Sequence, residues 1–384
     1  MAGAVTYDND FIVDGHANTR LSANFKVSEF LDPNGKIHVH RELVAGLQIL
    51  RNRTGSGMDV VSIKAPASVG SRPAWLGVVV KSDDLAALKK AAMKLRTEGY
   101  FSVVESSAAG LYLEIPTPDA MPAINAEMAF DCGMQVTAAF ETSGDPYQQV
   151  TGNFDGAGLS FGPIQCNLLS GTLQELFVRF RGTNENKLKA CFDNDEADYQ
   201  VFWKVLDGSR KKAVAWADAR STGRHKHGFR QPWKGYLQAV GREPVFRRVM
   251  LVYAYDKYGK RVLSALSFLR GISPVRITGL RCLAALYDMC VQQGSLNKAA
   301  DEIRTRVFNE MPGDEFALTR IVVEERAKKA SPRWRADCLS RRLSILERQP
   351  VAISMDGQRS QRANPGYYLL RNSPIKDLDD YLEG

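Results

Sequence analysis

Apolar residues recur along this chain with two different periods, and the change between them divides it. In Arg41–Arg53 the apolar positions Leu43, Val44, Leu47, Ile49 and Leu50 fall at helical spacing. Short β-type runs follow at Met58–Ile63 and Trp75–Lys81, then a helix over Asp83–Leu95 with an acidic start, then strands over Phe101–Glu105 and Leu111–Ile115. Pro116–Pro122 carries three prolines in seven residues and reads as a linker. Beyond it the helical period dominates. Pro122–Phe140 is expected as one helix interrupted near Gly133. Ile277–Gln293, Ser295–Glu310, Gly313–Lys329 and Ser331–Arg348 are expected as four successive helices. Ser331-Pro332 supplies an N-cap and a first-turn proline to the last of them. The acidic tail Asp377–Glu383 is expected to be mobile. The pattern predicts an α+β chain of two domains: a small α+β unit over 1–117 and a larger, mainly helical unit over 123–384 that contains a β-hairpin.

Composition narrows the class. With 384 residues, 44% hydrophobic and 24% charged, the chain can build a sizeable core in each unit. No apolar run approaches the ~20 residues of a membrane helix, and the start, with Asp8, Asp10 and Asp14, offers no apolar secretion signal. Charge is unevenly spread: the net +8 conceals a basic block, in which residues 201–350 hold 30 Lys/Arg against 14 Asp/Glu. Such a block suits a polyanionic partner, or it neutralises the acidic stretch over 121–200 within one fold. The six cysteines, Cys132, Cys166, Cys191, Cys282, Cys290 and Cys338, form no CxxC pair and read as buried free thiols made in a reducing compartment.

Candidate chemistry concentrates in ETSGDPYQQVTGNFDGAGLSFGPIQCN, residues 141–167. A carboxylate, Glu141, sits where a helix is expected to end. A glycine-rich run with Leu159 and Phe161 in alternation then reads as a tight hairpin carrying Asp155. Two carboxylates across a cleft are what glycoside hydrolysis needs, one to protonate the leaving oxygen and one to work on the other face of the sugar. On the residues alone, turn-capping acids explain the same pattern.

A helix-ending glutamate followed by a glycine-rich hairpin resembles the lysozyme-like superfamily, which includes phage-type lysozymes and chitosanases. TGNFDGAGLSFGPIQCN (151–167) is similar to a bacterial and phage branch related to chitosanases. GLRCLAALYDMCVQQGSL (279–296) and ERAKKASPRWRADCLSRRLSI (325–345) resemble that branch's later helices. The resemblance implies Glu141 as general acid, Asp155 as second carboxylate and Ser160 as a hydroxyl that helps hold water, with Tyr147, Gln165 and Asn167 toward the sugar. It implies a muramidase cutting the β-1,4 link between N-acetylmuramic acid and N-acetylglucosamine, with no cofactor and no metal. Its partners would be peptidoglycan glycan strands rather than nucleic acid, together with a delivery machine or an immunity protein. The chain would be made in the cytoplasm and would act on the wall or in the periplasm. A chitosanase, or a non-catalytic wall-binding component of a phage-like particle, is the alternative.

Further residues stand out beside this segment. Asp288 lies inside an apolar helix and needs a buried partner. Arg326, Arg335, Asp337 and Arg341 are expected to form one internal ion network. Arg224, His225, Lys226, His227 and Arg230 with Trp233 form a basic, aromatic-flanked loop suited to an anionic glycan or peptide, or to solvent. At the other end, FKVSEF (25–30), the helix over 41–53 and the order of elements across 20–117 resemble zinc D-Ala-D-Ala peptidases of phage endolysins. The zinc ligands of that family are missing: Ala74–Val80 holds none, Tyr112-Leu113-Glu114 keeps only the acid Glu114, and His16, His38 and His40 lie outside the motif. The resemblance therefore implies a degenerate unit over 1–117 used for wall binding or docking.

Overall fold

The computed structural model describes residues 5–8, 10–22, 24–54, 57–63, 76–117, 122–140 and 145–383. The chain opens with strands β1 (Val5–Asp8), β2 (Phe11–Gly15) and β3 (Val39–His40), which form an antiparallel sheet. There follow helix α1 (Arg41–Thr54), strands β4 (Asp59–Ser62) and β5 (Gly77–Lys81), helix α2 (Leu85–Thr97), and strands β6 (Val103–Ser107) and β7 (Gly110–Glu114). The second sheet runs β4-β5-β7-β6 and is antiparallel throughout. Its strand alternation is strict. Val78, Val80, Leu111 and Leu113 enter the core shared with Leu43, Leu47, Leu88 and Leu95 of the two helices, whereas Val79, Val103 and Tyr112 pack together as a separate cluster. The element order expected across this region is the one observed. Trp75 and the tip between β4 and β5 lie outside the described residues.

Strand β8 (Ile124–Asn125) leads directly into α3 (Ala126–Ala139), whose N-cap Asn125 accepts a hydrogen bond from Met128 N at 2.8 Å. Three two-residue strands follow, β9 (Val150–Thr151), β10 (Ser160–Phe161) and β11 (Cys166–Asn167), then α4 (Thr172–Ala190), α5 (Glu196–Asp207) and α6 (Arg210–Asp218). The hairpin β12 (Ser221–Thr222) and β13 (Gly228–Phe229) precedes α7 (Trp233–Arg242), α8 (Pro244–Ala254), α9 (Lys260–Ile272), α10 (Leu280–Gln293), α11 (Ala300–Glu310), α12 (Glu315–Lys328) and α13 (Pro332–Glu347). The hairpin β14 (Val351–Met355) and β15 (Gln358–Arg362), strand β16 (Ile375–Lys376) and α14 (Leu378–Glu383) end the chain. The fold is thus α+β, with sheets early and a mainly helical remainder. No helix among the described residues is long and apolar enough to cross a membrane.

The helical part buries one large core. Phe161, Phe177, Phe202 and Phe246 form its aromatic centre, with ring centroids 4.9 Å apart for Phe177–Phe202 and 5.5 Å for Phe161–Phe246. Helix α3 lies against α10, and Gly133 is where they meet: a Cβ there would stand 3.2 Å from Tyr287 Cβ. The expected interruption at Gly133 is therefore a close approach within an unbroken helix. All six cysteines are free, five of them buried.

Three further expectations change. The tail over 377–383 is ordered as α14, with Leu378 buried and Asp379 paired with Arg270. The chain's end also returns to the first unit, because Tyr368 and Leu369 pack against the first unit's core, while β16 pairs in parallel with β8 at the start of the second. At that junction buried Glu42 accepts from Arg348 at 2.7 Å, Arg371 lies 3.7 Å away, and Asp10 meets Arg348 at 3.5 Å. Lastly, the expected single network of Arg326, Arg335, Asp337 and Arg341 is divided. Arg326 donates to the Gln293 and Ser295 carbonyls, Arg335 pairs with Asp356, Asp337 with Arg362, and Arg341 with Asp288.

Candidate active site

The carbonyls at the C-terminal end of α3 have no intrahelical donors, and arginines from α13 and β15 supply them. Arg341 donates to Thr137 O at 3.2 Å and sets its guanidinium 4.2 Å from the centre of the Phe140 ring. Arg362 reaches Phe140 O at 3.4 Å, and Asn364 Nδ2 donates to Val136 O at 2.8 Å. Arg341 is held in turn by Asp288, at 2.7 Å, in a pair whose side chains are 3% and 0% exposed. Asp288 thus has the buried partner its position demands. Glu141 follows Phe140 in the chain, and with residues 142–144 it lies outside the described residues.

Past that point Asp145 caps the turn Pro146–Gln148. It accepts from Tyr147 N at 3.0 Å and from Gln148 Nε2 at 2.8 Å, and it pairs with Arg247. Tyr147 is 2% exposed and donates its hydroxyl to Asp131 Oδ1 at 2.6 Å, while Gln135 donates to Asp131 Oδ2 at 3.0 Å. Burial pushes the Asp131 carboxyl above the usual aspartate range, and the two hydrogen bonds oppose it. Tyr147 was expected to face a substrate. It instead fixes the returning chain against α3, because its hydroxyl is already engaged in the interior.

The expected hairpin is a three-stranded sheet, with β10 central between β9 and β11. Ser160, the expected water-holding hydroxyl, stands in the middle strand opposite Thr151 and Asn167 and is 3% exposed. It is built into the sheet and does not face solvent. Gln165 has a left-handed backbone (φ 51°) and donates to Gly162 O at 2.9 Å, and Asn167 Oδ1 accepts from Ser170 N at 2.9 Å. Both are half-buried and close the turns around β11.

Asp155 is different. It lies exposed on the loop 153–158, its Oδ1 accepts from Ala157 N at 3.0 Å, and no described residue pairs with it as an ion. The loop around it is rigidly tied. Asn153 donates through Nδ2 to Asp218 at 2.6 Å, accepts from Gly158 N at 2.7 Å, and its own N–H reaches Ser221 Oγ at 2.8 Å. Gly152 N donates to His227 O at 3.1 Å, and a Cβ on Gly152 would stand only 2.4 Å from Gly228 O. Gly158 has φ +85°, a conformation that excludes most side chains. Phe154, 47% exposed, stacks on His227 with centroids 4.5 Å apart and planes 19° from parallel. The loop bearing Asp155 is therefore clamped to the hairpin β12–β13, whose turn carries Arg224, His225, Lys226 and His227, all exposed.

The structure brings the Asp155 loop, Phe154 and the basic hairpin together, and it separates Tyr147 and Ser160 from solvent. Sequence reasoning missed Asn153, which holds the loop, and Phe154 as an exposed ring. A hint lay in NFDGAG, where an exposed aromatic sits beside turn residues that ordinarily carry none. Glu114 lies elsewhere, buried in β7, and accepts from the Tyr112 hydroxyl at 2.7 Å. Among the described residues no group of three or more His, Cys, Asp or Glu side chains could hold a metal ion.

No protein-family model matches the chain, and no curated protein matches it. Solved structures do. The native chitosanase from Bacillus subtilis MY002 is 14% identical over 62% of this chain and 100% of its own, at a TM-score of 0.38. A GH46 chitosanase from Gynuella sunshinyii in complex with chitotetraose is 16% identical over 62% of this chain and 98% of its own, at 0.37. A further chitosanase complex is 14% identical over 61% of this chain, at 0.34. Likenesses this distant carry no argument about substrate or mechanism.

Proposed function

We propose that this chain is a glycoside hydrolase acting on peptidoglycan, with Glu141 as general acid and Asp155 as the second carboxylate. The observation that supports it most is the clamped loop 153–158. It presents an exposed carboxylate, with no ion pair among the described residues, beside an exposed aromatic ring, and hydrogen bonds at Asn153 and Gly152 fix it to a basic hairpin. A rigid acid beside a stacking surface is what cleavage of a sugar chain requires, since the catalytic group must be positioned before the reaction.

In this reading Glu141 protonates the glycosidic oxygen as the bond to the anomeric carbon breaks. Asp155 then works on the opposite face, either stabilising the oxocarbenium-like centre or taking a proton from the attacking water. The buried pair of Asp288 and Arg341 holds the end of α3 that delivers Glu141. Ser160 supports β10 beneath the loop.

The charge around Asp155 favours peptidoglycan over chitosan. Chitosan is a polycation, and its amines would meet Arg224, His225, Lys226 and Arg230 on the adjoining hairpin. Peptidoglycan carries stem-peptide carboxylates that the same residues would attract. Residues 1–117 would then dock the enzyme on the wall. Parallel digestion of purified peptidoglycan and of soluble chitosan tests this reading. Release of disaccharide-peptides from peptidoglycan, with chitosan left intact, is expected; cleavage of chitosan alone would replace it with a chitosanase.

A further inference from the structure

At the base of the hairpin β12–β13 lies a cavity of about 290 Å³, lined by Ala219, Arg220, Arg230, Gln231 and Trp233. Its two arginines are held side by side by the backbone, Arg230 N donating to Arg220 O at 3.0 Å. Arg220 is oriented by aromatic rings, with its guanidinium 4.3 Å from the Trp216 ring centre and 5.4 Å from that of Trp233, and it donates to Trp216 O at 3.2 Å. Its Nε is buried and has no hydrogen-bond partner among the described residues. Arg230 is exposed. Asp198, the acid whose field reaches Arg220, is occupied by the Tyr236 hydroxyl at 3.1 Å, and no described carboxylate forms an ion pair with either arginine. Buried Arg341 and Arg348, by contrast, each have an acidic partner.

Two like charges held together beside a tryptophan wall, with no described carboxylate ion-paired to either, make a site suited to an anion. Burial holds Arg220 below its ordinary pKa; Asp198 opposes this, and Arg230 adds a smaller effect in the same direction as burial.

We infer that Arg220, Arg230 and Trp233 form a carboxylate-binding pocket that takes the acidic stem peptide of peptidoglycan, the planar guanidinium forks receiving the carboxylate and the indole covering the adjacent apolar peptide atoms. This rests on the proposed peptidoglycan substrate and gives it a second point of recognition. The pocket and the loop of Asp155 are attached to the same short hairpin, so a glycan at one and its peptide at the other would share one rigid element. The pocket takes no part in bond cleavage; it sets which polymer is gripped.

The test is a titration of intrinsic tryptophan fluorescence with muramyl dipeptide, which carries one free carboxylate, and with its carboxamide. The full-length wild type, R230Q, R220K and R220Q are compared. Arg230 is exposed, so R230Q should keep the wild-type melting curve, and R220K keeps the stacked cation should R220Q fail to fold. Saturable quenching by the acid in the wild type is expected. Binding should be at least tenfold weaker for R230Q, for R220K and for the carboxamide. Equal affinity of wild type and R230Q, equal affinity of acid and carboxamide, or displacement of the acid by equimolar inorganic phosphate would overturn the inference. The two readings fail separately. Binding without any digestion of peptidoglycan removes the hydrolase and leaves the pocket, whereas digestion with unchanged binding by R230Q removes the pocket and leaves the hydrolase.

Discussion

Replacing Asp288 by asparagine isolates what the interior contributes to the end of α3. The Asp288 side chain is 0% exposed, between Arg341 at 2.7 Å (3% exposed) and Arg342 at 3.5 Å (0% exposed). The asparagine preserves shape and one acceptor, yet it removes the charge of the described carboxylate that two buried guanidinium groups share. Arg342 retains Gln293 Oε1 at 2.8 Å, and Arg341 retains Thr137 O at 3.2 Å, but both are neutral acceptors. Breaking a buried pair in this way costs about 3–5 kcal/mol, a large part of the ~5–15 kcal/mol by which a domain is stable. With a urea m-value of about 3 kcal/mol/M, the midpoint should fall by roughly 1–1.7 M. Urea unfolding followed by circular dichroism reads this directly. Because Arg341 also stacks on Phe140 and holds Thr137 O, glycan cleavage by the folded variant should fall in parallel. A midpoint within ~0.3 M of wild type, equivalent to less than about 1 kcal/mol, would refute the claim that this pair anchors the helix end.

Other consequences follow from the same geometry. N153A removes the bonds to Asp218 and Gly158 N; it should cost about 1–2 kcal/mol in thermal unfolding and lower kcat/KM about tenfold to a hundredfold by freeing Asp155. Asp131 should give a pH signature. Its folded-state pKa is raised above the ordinary 3.8 by burial, so its contribution to stability is complete below that value and is lost as pH rises through the raised one. D131N lacks this loss, and its stability relative to wild type, measured by urea unfolding at several pH values, should improve from acid toward neutral pH; a constant difference would show that Asp131 does not titrate this way. G133V would press a branched side chain into Tyr287, where even a Cβ stands 3.2 Å away. It should destabilise by about 1–3 kcal/mol or more, and a melting curve like that of wild type would place α3 and α10 further apart.

Much of the fold was legible where a local period carried it. Helices α10, α12 and α13 show apolar residues at helical spacing, and Pro332 marks the start of α13 as the sequence suggests. Pairings far apart in sequence left no local sign: Glu42 meets Arg348 across 306 residues, and Asp288 meets Arg341 across 53. A lone glycine such as Gly133 reads equally as a break or as a contact, and only the neighbouring helix decides. Strands β9, β10 and β11 are two residues each, too short to show alternation, so a three-stranded sheet looked like one hairpin. Of the candidate site, the exposed turn position of Asp155 could be read from its glycine-rich setting. The burial of Ser160 and Tyr147 could not, since each depends on partners supplied by distant segments.

The central claim is that Glu141 drives cleavage of a glycan, and digestion of purified peptidoglycan by wild type and E141Q, with fragments identified by mass spectrometry, tests it most directly. Disaccharide-peptides with hydrated reducing ends from the wild type, and none from E141Q, are the predicted result. Equal release by both proteins would contradict the account, because bond cleavage would then proceed without the acid on which it is built.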